Sequence, residues 1–345
     1  MRKDDYNKRK RLGMKVTKPT IKNIARAAGV STATVSRALA YKNNLKPATS
    51  KRIRQIAQEM GYHKNVAASQ LASNMTNTIA VIINYTQTDF WIGILNGILH
   101  RARELNHQVI TFYAGDNDSR RLTQTVNEAL EHQANGILMI SGKMEQEQVE
   151  ILSTAHMPYR LISIYNPEHP EHRYVSSNNV EIGEQATNYL IKRGHRRIGL
   201  VGIDHYLTGQ QRLFGYQRAM TAAGLPINPH WIHYGDYSYQ DGKKLFSAIQ
   251  DGSVTAVVAG SDMIGAGLLK AATQADWRLP EQLSIISIDG SDTCELTTPE
   301  LTTVSQDFYQ MGLTSVDNLL QDQPSTFIPT TLIERDSIQP LPMKK

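Results

Sequence analysis

The chain has 345 residues, 40% of them apolar, which suits two or three packed domains and is too long for one ordinary core. It holds no run of 18 apolar residues, so no membrane-spanning helix is expected, and its first twenty residues lack the apolar stretch of a secretory leader. A single cysteine, Cys294, excludes an intramolecular disulfide and a Cys-rich zinc site, and a cytoplasmic protein is expected.

The net charge of +5 hides an uneven distribution. Residues 1–74 carry 17 Lys and Arg against three acids, whereas residues 75–345 carry 20 against 29. A basic amino-terminal fifth on an acidic body fits a nucleic-acid-binding head joined to a domain that does not touch phosphate. Residues 1–19 form a basic, apolar-poor extension (Arg2, Lys3, Lys8, Arg9, Lys10, Arg11, Lys15, Lys18) and are expected to be disordered.

Order is expected from Thr20, an N-cap for a helix whose Ile21, Ile24, Ala25 and Ala28 share one face. Gly29 permits the turn, and Ser31 caps a second helix, Thr32 to Leu39. Pro47 suits the first turn of a third helix with Ile53, Ile56, Ala57 and Met60 as its buried stripe. Two short helices across a Gly-containing turn make a helix-turn-helix over residues 20–39, within a DNA-binding domain of residues 20–62. The start of a helix lying in the major groove reaches base edges, so Thr32, Ala33 and Arg37 are the base-reading candidates, joined by Thr34 and Ser36. Arg37 has the donors for a guanine edge, and a phosphate contact is its alternative.

The ungapped block Ile24-Ala25-Arg26-Ala27-Ala28-Gly29-Val30-Ser31-Thr32-Ala33-Thr34-Val35-Ser36-Arg37-Ala38-Leu39 resembles the signature of the lactose-repressor (LacI/GalR) family. One departure is Lys46, where that family often has Ser or Thr capping the third helix. After it, Val66, Ala67, Gln70 and Leu71 have helical spacing in a segment too short to be stable alone, so a plain linker is one reading of residues 63–75. The resemblance implies the other, a hinge helix that orders on operator DNA and pairs with its dimer mate. Asn65 and Leu71 would then contact DNA, with Leu71 wedged into a minor-groove step.

From Thr78 the chain alternates apolar strands (near 78–83, 108–113, 136–140, 160–164, 197–201, 255–259 and 283–288) with helices (near 90–106, 119–133, 145–155, 180–193, 208–223, 238–250 and 262–275). Continuous apolar strands between helices predict parallel, doubly wound α/β sheets. The resemblance implies a periplasmic-binding-protein-like body of two such lobes, residues 76–177 with about 305–323, and about 178–304 with 324–345. The match to the lactose repressor is close again over Thr302–Gly312.

A ligand in such a body sits between the lobes, at strand carboxyl ends. Those positions offer Phe90, Trp91, Arg212, Tyr237, Ser261, Asp289, Gln306 and Phe308, and Asp262 reads better as a helix cap than as a ligand contact. Asp and Arg clamp vicinal hydroxyls through paired hydrogen bonds, and aromatic rings cover C–H faces, so a small sugar is expected. By resemblance, Arg212 and Asp289 match the family's hydroxyl clamp. Ser261 replaces a common Asn, Ser163 stands where the lactose repressor has Asp, and Tyr237 where it has Trp. A galactoside is one sugar this would suit.

No phosphate-binding loop, nucleophile elbow or H-E-x-x-H is present, so no catalytic residue, cofactor or metal is expected. The run Glu168-His169-Pro170-Glu171-His172 is read as a solvated loop, because Pro170 breaks any helix that would align its side chains. The expected protein is a dimeric repressor of carbohydrate-utilisation genes on a roughly palindromic operator, released by its sugar. No leucine heptad predicts a tetramer-forming extension. Two rivals stand beside this: a global catabolite regulator with a phosphoprotein co-effector, and a transport-type sugar-binding protein.

Overall fold

A computed structural model describes residues 19–39, 45–62, 77–84, 86, 88–115, 118–142 and 144–342. The basic extension through residue 18 and the expected hinge, with Asn65 and Leu71, lie outside the described residues. The chain divides into two compact units, Met1–Thr76 and Asn77–Lys345. None of the described helices is long and apolar enough to cross a membrane.

The described residues of the first unit form three helices, α1 (Ile21–Ala28), α2 (Thr32–Leu39) and α3 (Pro47–Glu59). At the start of α1 the Thr20 amide donates to Asn23 Oδ1 (2.9 Å). Gly29 at φ +65° ends it, with Val30 N donating to Ala25 O (3.1 Å) and Gly29 N to Arg26 O (3.4 Å). That paired closure needs a residue at ease with positive φ. Ser31 Oγ then accepts from Thr34 N (3.1 Å) and opens α2. Ile24, Ala25, Ala28, Val35, Ala38, Ile53 and Ala57 form one core. The small residues let α1 and α2 cross closely, and Arg54 Nε of α3 donates to Ala38 O (3.0 Å) near the end of α2.

The second unit contains two six-stranded sheets. The first comprises β1 (Thr78–Asn84), β2 (Gln108–Gly115), β3 (Gly136–Ile140), β4 (Tyr159–Ile162), β5 (Tyr174–Ser176) and β11 (Thr326–Phe327), in the order β11-β5-β4-β3-β1-β2 and all parallel. The second comprises β6 (Ile198–Ile203), β7 (Ile232–Tyr234), β8 (Ala256–Ala259), β9 (Ser284–Asp289), β10 (Thr302–Gln306) and β12 (Thr330–Ile333), in the order β12-β10-β9-β8-β6-β7. Only β12 runs antiparallel, against β10. Helices α4 (Phe90–Glu104), α5 (Ser119–Glu131), α6 (Gln146–Thr154) and α12 (Phe308–Leu320) serve the first sheet. Helices α7 (Asn179–Lys192), α8 (Leu207–Ala222), α9 (Tyr239–Leu245) and α10 (Asp262–Gln274) serve the second, with a short α11 (Thr293–Leu296). Two buried clusters lie on each sheet, led by residues such as Ile79, Leu138, Leu200 and Ile285.

The chain passes between the sheets three times, after β5, after β10 and after β11. The last passage falls later than the sequence placed it. The sequence reading places residues 324–345 whole in the second lobe, yet Thr326 and Phe327 pair with Val175 and Ser176 in the first sheet. A two-residue strand behind Pro324 carries no periodicity to reveal its side.

Asp262 also differs from expectation. Ser261, not Asp262, caps α10, its Oγ accepting from Ile264 N (3.1 Å). The Asp262 carboxylate is 2% exposed and accepts from Ser287 Oγ (2.6 Å), Thr303 Oγ1 (3.0 Å), Ser291 N (2.6 Å) and Ser291 Oγ (2.8 Å). One carboxylate therefore ties β9, β10 and the turn after β9 together. Truncation would strand buried donors on three segments. Asp262→Ala is expected to lower the urea-unfolding stability of the body by about 2–4 kcal/mol. A loss under about 0.5 kcal/mol, the size of an ordinary surface change, would remove it from this role.

Candidate functional site

On the first unit, α2 buries Val35 and Ala38 and leaves Thr32, Ala33, Ser36 and Arg37 exposed on the opposite side. Positions 32, 33, 36 and 37 form one helical face. The Arg37 guanidinium lies back along its own helix, Nε donating to Ala33 O (3.4 Å), a weak contact that leaves its other donors to solvent. Thr34 is half-buried, and its hydroxyl meets the cap hydroxyl of Ser31 (2.9 Å), which gives it a part in holding the helix start.

In the second unit, α8 carries Arg212. Glycines let α8 lie close on α7: a Cβ on Gly183 would clash with the Arg212 carbonyl oxygen, and one on Gly215 with that of Val180. Arg212 is 5% exposed. Its Nε donates to Asn179 Oδ1 (3.0 Å) and its Nη1 to Gly260 O (2.5 Å). Nη2 faces Asp289 Oδ1 at 3.7 Å, and the guanidinium lies over the Tyr237 ring, 5.5 Å from its centre. Asp289 ends β9, and its Oδ1 accepts from Gln306 Nε2 (2.8 Å) at the end of the adjacent β10. No described donor hydrogen-bonds Oδ2.

Burial pushes the Asp289 carboxyl up to about 7, with the nearby Asp262 charge adding to the rise and Arg212 and Gln306 opposing it. The Tyr237 hydroxyl is buried beside Asp204, and burial carries it well above its ordinary value. Two residues of the cluster, Tyr237 and Asp289, have φ of +67° and +119°, and Ser163 after β4 has +64°, in regions that non-glycine residues rarely occupy.

Arg212, Asp289, Gln306 and Tyr237 are thus brought into one cluster at the carboxyl ends of the second sheet. Ser261 caps α10 beside the cluster. It is 1% exposed, and its hydroxyl is committed to Tyr237 O (2.7 Å) and the α10 cap. On the first lobe Phe90 packs on Phe308, ring centres 5.2 Å apart, and Phe308 follows Gln306 by two residues. Trp91 borders a cavity of about 400 Å³ with Asn84, Thr111 and Tyr113. Ser163 directly follows β4, its amide donating to Val175 O (3.0 Å).

Sequence reasoning missed Asn179, which is 2% exposed and steers the Arg212 fork. Its signal was a second Asn beside Asn178, which alone caps α7 by accepting from Val180 N (3.2 Å). It also missed the bridge between the lobes, Gln211 Nε2 donating to Tyr165 O (3.1 Å), with the Tyr165 hydroxyl reaching Asn178 Oδ1 (3.3 Å).

Comparison with known proteins adds the family. A model described as bacterial regulatory proteins, lacI family, matches residues 20–65, and one described as a periplasmic binding protein-like domain matches residues 187–338. Catabolite control protein A of Priestia megaterium is 28% identical over 319 residues, 91% of this chain and 96% of that protein. A crystal structure of a transcription regulator from Lactobacillus plantarum is 36% identical over 77% of this chain and all of that one, with a TM-score of 0.69. A transcriptional regulator CelR–cellobiose complex is 27% identical over 92% of this chain and 99% of that one, again at 0.69. The chain belongs to the lacI family of bacterial regulatory proteins, DNA-binding transcriptional regulators with a helix-turn-helix head and a two-lobed periplasmic-binding-protein-like body.

Proposed function

We propose that this regulator represses carbohydrate-utilisation genes in the cytoplasm. In this reading α2 enters the major groove of an operator half-site, and two chains act as a dimer on a roughly palindromic operator. Residues 63–75 link head and body. A small sugar between the lobes releases the DNA, and the cleft binds without catalysing.

The observation that carries the ligand is the Arg212–Asp289–Gln306 cluster. It gathers a fixed donor fork, an acceptor with Oδ2 open and an amide, all at strand carboxyl ends where α/β lobes bind ligands. Phe90, Trp91 and Phe308 supply apolar surface on the other lobe. A relative in complex with cellobiose supports the ligand class.

Three outcomes test this. Arg37→Ala is expected to cost about 1–3 kcal/mol on the operator and to relax selection at one base pair. Gel-shift selection of randomised sites measures it, and an unchanged preferred sequence would show that Arg37 touches phosphate or nothing.

Calorimetry of the full chain with mono- and disaccharides is expected to give a ligand whose binding Asp289→Ala abolishes while operator affinity stays within about twofold. If no sugar binds, and a phosphorylated carrier protein raises operator affinity instead, the chain is a global regulator with a protein co-effector.

The third outcome is a pH dependence. Sugar hydroxyls donated to Asp289 favour its ionised form, while the ligand-free carboxyl sits at about 7. Below that value binding must expel a proton, so affinity falls with pH and is about tenfold weaker at pH 6 than at pH 8. Asp289→Asn should be weak and flat across this range, and an equally steep profile in the variant would place the titrating group elsewhere.

A further inference from the structure

The loop joining β4 to β5 does something its sequence hid. Pro170, which excludes a helix, occupies the second position of a turn from His169 to His172, closed by His172 N donating to His169 O (3.1 Å). Proline favours that position, because the turn requires the φ its ring imposes. The turn brings the flanking imidazoles together instead of separating them. Their ring centres are 5.2 Å apart, and Glu171 lies between them. Its Oε1 is 3.0 Å from His169 Nδ1 and 3.8 Å from His172 Nε2.

We propose that His169, Glu171 and His172 form a binding site for a divalent transition ion of the Zn²⁺ class. All three offer a ligand atom within 4.8 Å of the others. Tetrahedral Zn²⁺ holds nitrogen and oxygen ligands at about 2.1 Å, which sets neighbouring ligand atoms about 3.4 Å apart. The separations of 3.0 and 3.8 Å from Glu171 to the two imidazoles bracket that value, and the stacked rings, 12° from parallel, must turn for both lone pairs to meet one ion. Two imidazoles and one carboxylate suit Zn²⁺ in preference to Mg²⁺ or Ca²⁺, which take oxygen sets, and leave the fourth position to water.

The two histidines divide the work. His172 is 6% exposed and stands edge-on to Tyr159, which fixes its ring, whereas His169 and Glu171 are exposed and free to close on an ion. The site lies beside the first residue of β4 and just before β5, at the amino ends of strands whose carboxyl ends face the cleft, so it is separate from the Arg212 cluster. The same loop carries Ser163 and Tyr165 at its other end. An ion bound here would pin one end of a strap that borders the cleft.

The test titrates the full-length protein with Co²⁺, whose visible spectrum reports coordination geometry, and then with competing Zn²⁺. We expect one Co²⁺ per chain in a four- or five-coordinate spectrum, displaced by Zn²⁺. His169→Ala and Glu171→Gln are both at exposed positions, so folding is preserved, and each should weaken binding by more than about tenfold. His172→Ala should do the same if it folds. Absence of a stoichiometric Co²⁺ spectrum in the wild-type protein would overturn the proposal. So would unchanged binding in both exposed-residue variants, which would place the ion on other histidines.

Discussion

The candidate site in the body is organised around a buried cation, Arg212. A guanidinium 5% exposed cannot stay charged without partners, because removal from water costs several kcal/mol. Arg212 meets that demand only in part. Asn179 and the Gly260 carbonyl hold two donors, and Asp289 stands at 3.7 Å, longer than a closed ion pair. The fork is fixed in direction while Nη2 keeps capacity, and Asp289 keeps Oδ2. Such an arrangement gains most from a ligand that carries both donors and acceptors, as adjacent hydroxyls do.

The surrounding structure serves to hold that pair in place. Glycines at the α7–α8 crossing set the depth of α8 and hence of Arg212. The Asp262 carboxylate fastens β9 to β10, the strands that end in Asp289 and Gln306. Ser261 holds the carbonyl of Tyr237, whose ring lies under the same guanidinium. Positive φ at Tyr237 and Asp289 is tolerated because these contacts over-determine the loops. On the other lobe Phe308, two residues after Gln306, packs on Phe90. The Gln211–Tyr165 bridge spans the same crossover region.

Much of this was legible in sequence, for physical reasons. The seven long apolar strands and their helices could be read because parallel strands covered on both faces must be apolar throughout. The helix-turn-helix was legible because Thr20, Gly29, Ser31 and Pro47 each have a local stereochemical task. β10 was not seen as a strand, because Thr302, Thr303 and Ser305 read as surface. Asp262 and Arg335 make their burial possible, with Thr303 Oγ1 donating to the carboxylate and Thr302 Oγ1 to the Arg335 carbonyl (3.2 Å). Strands β5, β7 and β11, of two or three residues, are too short to show a period. At the site, Asp289 was legible as a charged residue at a strand end, and Arg212, on the helix after β6, through the family resemblance. Asn179 was not, because an asparagine at a helix start already has an ordinary explanation.

The account stands on Arg212 as the point where ligand and DNA responses meet. Operator-binding anisotropy, with a sugar that binds the wild-type chain titrated into wild-type and Arg212→Met protein, tests it most directly. The wild-type complex should dissociate as sugar is added. The variant should bind the same operator with unchanged affinity and show no response to sugar. A variant that responds at wild-type sugar concentrations would contradict the central role of the buried guanidinium.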